Sequence, residues 1–306
     1  MKKMKKSELN YLNNELNDIS GKKVIVTGAN SGIGYAICDI LLKKNAHVVM
    51  ACRDYEKALK AKEELLSNNP NGKLDLLLYN QSSVAGAFEL SQCIIAKHSD
   101  FYALILNAGL ISNKKDELYG NKVSQTIGVN YISTMAICYG LKEFLDKSEV
   151  ERRIIFQGSL AGRKCSYKKK EELLKINSQM LRQYNISKLG VFALFQSMRD
   201  TNENPNVFFV YAEPGVTNTK IIRNFCKGIQ KLGYIFLKVF MHSNYSGALT
   251  ACYSACNLVA NGDMYIPKGL GGVNGLPKKL KKKYPINNQI LTDGRHLLGE
   301  INDTRW

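Results

Sequence analysis

Two hydrophobic rhythms alternate along the chain. Short β-branched or aliphatic runs read as buried strands: "KKVIVTG" (22–28), "AHVVMACR" (46–53), "LDLLLYN" (74–80), "YALILNAG" (102–109), "RRIIFQGS" (152–159), "NVFFVYAEPG" (206–215) and "DMYIP" (263–267). Between them lie stretches with helical periodicity: "SGIGYAICDILLKKN" (31–45), "DYEKALKAKEELLSNNPNG" (54–72), "VAGAFELSQCIIAKH" (84–98), residues 122–147, residues 181–198 and "SGALTACYSACNLV" (246–259). Asp54 is placed to cap the second of these, and Pro70-Asn71-Gly72 to end it. Strands joined through helices need right-handed crossovers and a parallel sheet covered on both faces. The pattern therefore predicts an α/β fold, one doubly wound (Rossmann) domain of about seven strands over residues 21–270, with no linker to a second. A polar basic leader (1–20) and a basic C-terminal extension (271–306) flank it. Residues 160–180 and 216–244 break the rhythm.

Composition narrows the class. The 306 residues are 45% apolar and 23% charged, a globular balance. No window reaches the ~18 to 20 uninterrupted apolar residues of a membrane span. The start, "MKKMKKSELNYLNNELNDIS", lacks the apolar core and cleavage site of a secretory signal. Cysteines 38, 52, 93, 138, 165, 226, 252 and 256 are scattered with no CxxC pair, as expected of reduced thiols in a cytoplasmic protein. Neither Cys252 and Cys256 nor His47, His98, His242 and His296 show metal-ligand spacing, so no metal is expected. The net charge of +17 favours anionic partners: nucleotide phosphates, nucleic acid or an acidic membrane surface. Part of it is tail charge, in "MKKMKK" and "PKKLKKKY", which also fits solvated faces. No zinc finger, RNP-like stretch or aromatic-basic platform supports nucleic-acid binding.

Candidate chemistry begins where the first strand enters "TGANSGIG", residues 27–34. Glycines between a strand and a helix let the backbone turn tightly and approach a pyrophosphate, which the helix N-terminus then binds. The second strand ends at Arg53, where an acidic residue would pair with ribose hydroxyls. A guanidinium there favours a 2′-phosphate, and so NADP(H) over NAD(H). Further on, Tyr184 and Lys188 stand four positions apart on one helix face.

With these residues in view the chain resembles the short-chain dehydrogenase/reductase family over residues 20–270. Its "TGANSGIG…ACRD" stretch is most similar to the retinol dehydrogenase and protochlorophyllide reductase branch. The resemblance implies cofactor contacts from Gly28, Asn30, Ser31, Gly32, Ile33 and Gly34, and from Arg53, Asn80 and Gln81. "LILNAG" adds Asn107, Ala108 and Gly109 beside the adenine ribose, and "EPGVTNT" adds Pro214, Gly215, Val216 and Thr219 near the nicotinamide. The catalytic set it implies is Asn130, Ser159, Tyr184 and Lys188, the last two also touching cofactor. Asn80 replaces a common aspartate and can still accept a hydrogen bond from adenine. Ser159 and Tyr184 are farther apart than is usual in the family, and 160–180 reads as a loop at the active-site mouth.

The implied activity is hydride transfer between nicotinamide and an alcohol or carbonyl. Tyr184 is the general acid/base, Lys188 lowers its pKa, Ser159 donates a second hydrogen bond, and Asn130 holds a relay water. Within 216–244, Ile222, Phe225, Ile229, Leu232, Phe236 and Phe240 recur at helical spacing among Lys220, Arg223, Lys227 and Lys231. They suit a lid over the cofactor, or an apolar substrate wall that also touches anionic lipid. A lipophilic alcohol, aldehyde or ketone follows from the second reading, and the resemblance implies the same, of retinol, sterol, long-chain or aromatic type. Family habit implies a homodimer or homotetramer built on the helices of Asn130 and Tyr184, and the branch also contains monomers. A reductase of carrier-bound ketoacyl groups and a non-catalytic dinucleotide sensor are the alternatives.

Overall fold

The computed structural model describes residues 4–112, 118–174, 180–217 and 242–302. Thr219 and the periodic residues 220–240 lie outside the described residues. In chain order the first half forms α1 (Lys6–Glu15), β1 (Lys23–Thr27), α2 (Gly32–Leu42), β2 (His47–Cys52), α3 (Tyr55–Asn68), β3 (Lys73–Leu78), α4 (Val84–Lys97) and β4 (Ala103–Leu106). Next come β5 (Leu118–Tyr119), β6 (Val123–Ser124), α5 (Gln125–Ile127), a π-helical turn (Gly128–Ile132) and α6 (Ser133–Asp146). The second half carries β7 (Arg152–Gln157), α7 (Leu160–Arg163), α8 (Glu171–Leu174), α9 (Met180–Asp200), β8 (Val207–Ala212), α10 (Asn244–Cys256), β9 (Met264–Pro267), β10 (Pro277–Lys279) and α11 (Asn288–Asn302).

The main sheet runs β3-β2-β1-β4-β7-β8-β9-β10. Its first seven strands are the predicted ones and all are parallel. Winding reverses between β1 and β4, so a crevice opens at their C-terminal ends, where such sheets bind ligands. Side chains alternate between two apolar layers. Val24, Val26, Ile105 and Ile155 pack with α1, α2, α3 and α10, while Ile25, Leu104, Ile154 and Phe156 pack with α4, α6, α9 and α11. Among the described residues no helix is long and apolar enough to cross a membrane.

The structure departs from the sequence reading in five places. The main sheet has eight strands, not seven: β10 pairs antiparallel with β9, Lys278 opposite Ile266. Its Pro-Lys-Lys sequence offers no apolar alternation, but suits an edge that must not pair further. Residues 122–147 are not one helix. Gly120 and Asn121 both take left-handed conformations, φ 55° and 56°, in the three-residue hairpin loop 120–122 that joins β5 to β6 and delays the helix to Gln125. The leader is not merely polar: α1 buries Tyr11 and Leu12, and its Glu8 accepts from the Lys5 amide at 2.7 Å and the Ser243 hydroxyl at 2.5 Å. Nor is the C-terminal extension only a basic tail, since α11 buries Ile290, Leu291, Leu297 and Leu298. Tyr131 wedges between α9 and α11. A Cβ on Gly190 would lie 2.6 Å from its ring, one on Gly294 2.3 Å from its hydroxyl, and that hydroxyl donates to the Ile290 carbonyl at 2.8 Å. The expected loop 160–180 contains α7 and α8, with 175–179 outside the described residues.

Candidate active site

The β1–α2 turn has the shape of a phosphate cradle. A Cβ on Gly28 would fall 2.9 Å from Ala108 Cα, and one on Gly34 would strike the Gly28 carbonyl oxygen at 2.3 Å. Only hydrogen fits at either position, which keeps the two backbones close to each other and to anything seated on them. Gly32 is left-handed at φ +62° with open space around it. Ser31 precedes α2 with no side-chain cap bond, so the N–H groups of Gly32, Ile33 and Gly34 and the positive end of the helix are left for an anion. Asn107 fastens the neighbouring strand to this turn by donating to the Thr27 carbonyl at 2.8 Å, and the Ala108 amide donates to Thr27 Oγ1 at 3.0 Å. Asn30 stands half-buried in the same turn.

At the other end of the cleft Arg53 is exposed and donates to Ser82 Oγ at 2.6 Å. Asp54, its neighbour, is occupied as the N-cap of α3, accepting from the Lys57 amide at 3.1 Å. The Lys57 side chain and that amide hold the Asp54 carboxyl below its usual range. Asn80 Oδ1 accepts from the Ser82 amide at 3.0 Å, which leaves it one lone pair for a ligand. Gln81 differs from expectation. Its side chain turns into the protein, accepting from the Tyr79 hydroxyl and donating to the Val129 carbonyl at 3.0 Å, so it lines the interior rather than the cleft.

The catalytic candidates meet at the C-terminal edge of β4 and β7. Asn130 sits in the π-helical turn, a rare geometry that shifts side-chain direction and recurs at functional sites. Its amide exchanges two hydrogen bonds with the Leu110 backbone, 2.8 and 2.9 Å, and donates a third to Ser187 Oγ at 3.0 Å. Gly109 lies between this amide and Lys188: a Cβ there would be 3.2 Å from Asn130 Oδ1 and 3.7 Å from Lys188 Nζ. Ser159 caps α7, accepting from the Ala161 amide at 3.2 Å, while its own amide donates to the Tyr211 hydroxyl at 3.1 Å. Tyr184 lies one turn before Lys188 on α9. Burial raises the Tyr184 pKa, the Ser159 hydroxyl opposes this, and the Glu213 charge adds to it. Lys188 is buried, its ammonium donating to the Gln157 carbonyl at 3.0 Å, and burial pushes its pKa down to about 8.

Some residues here were not anticipated. Glu213, the last residue before Pro214-Gly215, is fully buried and paired with Arg163, which is 5% exposed. The guanidinium grips both carboxylate oxygens, at 2.6 and 2.9 Å, and donates to the Tyr284 hydroxyl at 2.5 Å. The pair ties the turn after Ser159 to the strand that delivers Pro214, with the C-terminal segment closing over it. A glutamate inside the apolar run "NVFFVYAEPG" was a visible signal that a buried cation must exist, although not which one. Gly215 is left-handed at φ +67°. The main chain of Val216 is occupied, its N–H by the Val273 carbonyl at 2.8 Å and its carbonyl by the His242 amide at 3.1 Å.

A glycine cradle at the switch point of a doubly wound sheet, with tyrosine, lysine, serine and asparagine at its far end, defines a dinucleotide-dependent oxidoreductase. The chain belongs to the short chain dehydrogenase family, whose model matches residues 22–229. It is 25% identical over 267 residues to a polyprenol dehydrogenase of Danio rerio, covering 83% of this chain and 81% of that one. It is likewise 25% identical over 240 residues to retinol dehydrogenase 11 of Homo sapiens, covering 78% and 73%. In fold it is similar to the crystal structure of an uncharacterized protein from Mycobacterium paratuberculosis, with TM-score 0.71, 18% identity, and 95% and 97% of the two chains covered. It is also similar to a Pseudomonas aeruginosa RhlG/NADP complex, with TM-score 0.61, 21% identity, and 78% and 91% covered. The protein is an NAD(P)-dependent oxidoreductase with a small-molecule substrate.

Proposed function

We propose that the protein transfers hydride between NADP(H) and a lipophilic alcohol or carbonyl, with Tyr184 as general acid/base. The observation that carries this reading is Lys188: a buried ammonium with a main-chain carbonyl as its protein partner, one helical turn from Tyr184. A buried charge without a carboxylate is costly, and it is retained where it tunes a neighbour.

The cradle of Gly28 to Gly34 would hold the pyrophosphate, Asn107 to Gly109 the adenine ribose, and Tyr184 and Lys188 the nicotinamide ribose. When bound, the cofactor supplies or accepts the hydride at the substrate carbon. Tyr184 donates its phenolic proton to the oxygen as charge grows there, and Ser159 adds a second hydrogen bond. In the oxidative direction an ordinary phenol, pKa ~10, is a poor base at neutral pH. The Lys188 charge favours phenolate, against burial and the Glu213 carboxylate. The side chain of Asn130 fixes the Leu110 backbone, and its carbonyl, which already accepts from Thr134 Oγ1 at 2.8 Å, keeps a lone pair for the water that returns the proton.

Arg53 supports NADP(H): its guanidinium is exposed, is not paired with Asp54, and stands beside the Ser82 hydroxyl. The names of the polyprenol and retinol dehydrogenases support a lipophilic substrate. The test is Tyr184→Phe in purified protein, with NADPH binding followed by fluorescence and turnover by absorbance over a panel of lipophilic aldehydes and ketones. Binding should persist while turnover falls by about 10²–10⁴-fold, the usual share of a general acid. Intact turnover in the variant would overturn the assignment.

A further inference from the structure

We propose that the side-chain amide of Gln157 is a ligand for the nicotinamide half of the dinucleotide, an inference that rests on the oxidoreductase reading above. Gln157 is 3% exposed, and neither its Oε1 nor its Nε2 has a hydrogen-bond partner. Among the described residues it is the one side chain that leaves both amide atoms buried and unpartnered. Other side-chain amides with one buried, unpartnered atom bond through the second: Gln196 donates to the Tyr284 carbonyl at 2.8 Å, and Asn257 to the Glu15 carbonyl at 2.7 Å. An orphaned donor and acceptor in the interior is a lasting cost to the fold unless something arrives to meet them.

Its position says what arrives. Gln157 is the last residue of β7 and pairs in register with Ala212 of β8. Strand alternation puts it on the face of Ile155 and Ala212, the layer that α2 and α10 cover. Asn107, two residues past Ile105, shares that face at the end of β4, and Pro214, two residues past Ala212, shares it at the end of β8. The residue therefore ends β7 between the two segments that flank the glycine cradle, with its amide shut off from solvent. Its own carbonyl holds Lys188 Nζ at 3.0 Å, which places it at the Tyr184–Lys188 end of the cleft. At that same end Val216 has spent its N–H on Val273. A nicotinamide riboside, with its carboxamide and ribose hydroxyls, needs both donors and acceptors, and a glutamine amide offers one of each. Three side-chain torsions let that amide follow a ligand seated in the crevice.

The test compares wild type with Gln157→Leu, which keeps the volume and suits the apolar neighbours. NADPH is titrated by fluorescence. ADP-ribose and its 2′-phosphate, which lack the nicotinamide, are titrated by calorimetry. The expected result is about a tenfold loss of NADPH affinity, roughly 1.4 kcal/mol, with ADP-ribose binding unchanged. Unchanged ADP-ribose binding also shows that the variant is folded. Gln157→Glu, which keeps an acceptor and loses the donor, should fall between the two. NADPH binding to Gln157→Leu at wild-type strength would overturn the proposal, as would an equal loss for ADP-ribose, which reports general damage to the cleft. A wild-type protein that binds neither NADPH nor NADH would sink the oxidoreductase reading and this inference together.

Discussion

Arg163→Met is the most demanding test of the site's architecture. Wild-type Glu213 is fully buried and Arg163 meets both its oxygens. Burial lifts the Glu213 pKa above its ordinary value, with the guanidinium pulling it back. Taking the guanidinium away strands a carboxyl in the interior, which costs about 3–5 kcal/mol. That is a large part of the ~5–15 kcal/mol that holds a domain together. The stranded carboxyl then takes up a proton in the folded state, so its folded pKa rises further above the unfolded value. Such a group leaves stability intact below the unfolded pKa and removes it as pH rises through the folded one. The deficit should therefore be smallest at low pH, grow by up to about 1.4 kcal/mol per pH unit once pH passes the raised wild-type folded pKa, and level off above that of the variant. Urea unfolding of variant and wild type side by side at several pH values measures this. Arg163→Met/Glu213→Leu, with no charge left to strand, should recover to within about 1 kcal/mol of wild type. A single variant costing under ~1 kcal/mol, a deficit flat with pH, or a double variant no better than the single would refute the reasoning.

Two further tests concern the cofactor end. Lys188→Met should lose turnover yet melt higher than wild type at pH 7. A lysine whose folded pKa is pushed down to about 8 destabilises the fold while charged, here by roughly 3 kcal/mol, and that penalty disappears as pH climbs from about 8 towards 10.5. A variant that melts lower at pH 7, or a difference that does not close at alkaline pH, contradicts this. Arg53→Ser should weaken NADPH by about 10- to 100-fold and leave NADH nearly unchanged, since a guanidinium–phosphate bond is strong and NADH lacks that phosphate. Equal losses in a paired fluorescence titration would remove Arg53 from the 2′-phosphate.

The parallel strands were legible because a strand covered on both faces must be apolar throughout, as Val24, Ile25 and Val26 are. The cradle was legible because Gly28 and Gly34 answer to steric limits that no other residue meets. What stayed hidden depends on distant partners or on main chain alone. β10 pairs through its backbone, so Pro277-Lys278-Lys279 carries no mark of a strand. Arg163 and Glu213 are fifty positions apart, and charge pairing across that distance leaves no local period. Gln81 was expected at the cofactor from the family resemblance, but Tyr79 and Val129 draw its side chain inward. The late start of the helix expected from 122 turned on Gly120-Asn121, a pair that suits positive φ and opens a hairpin, so that 123–124 pair as a strand first.

The Tyr131 wedge reaches beyond packing. Because α11 lies on α9 with Gly190 and Gly294 closed around that ring, the helices bearing Asn130 and Tyr184 are already roofed by their own chain. The stretch of α9 around Gly190 thus takes its apolar cover from the C-terminal helix of the same chain, and losing α11 would uncover Tyr131.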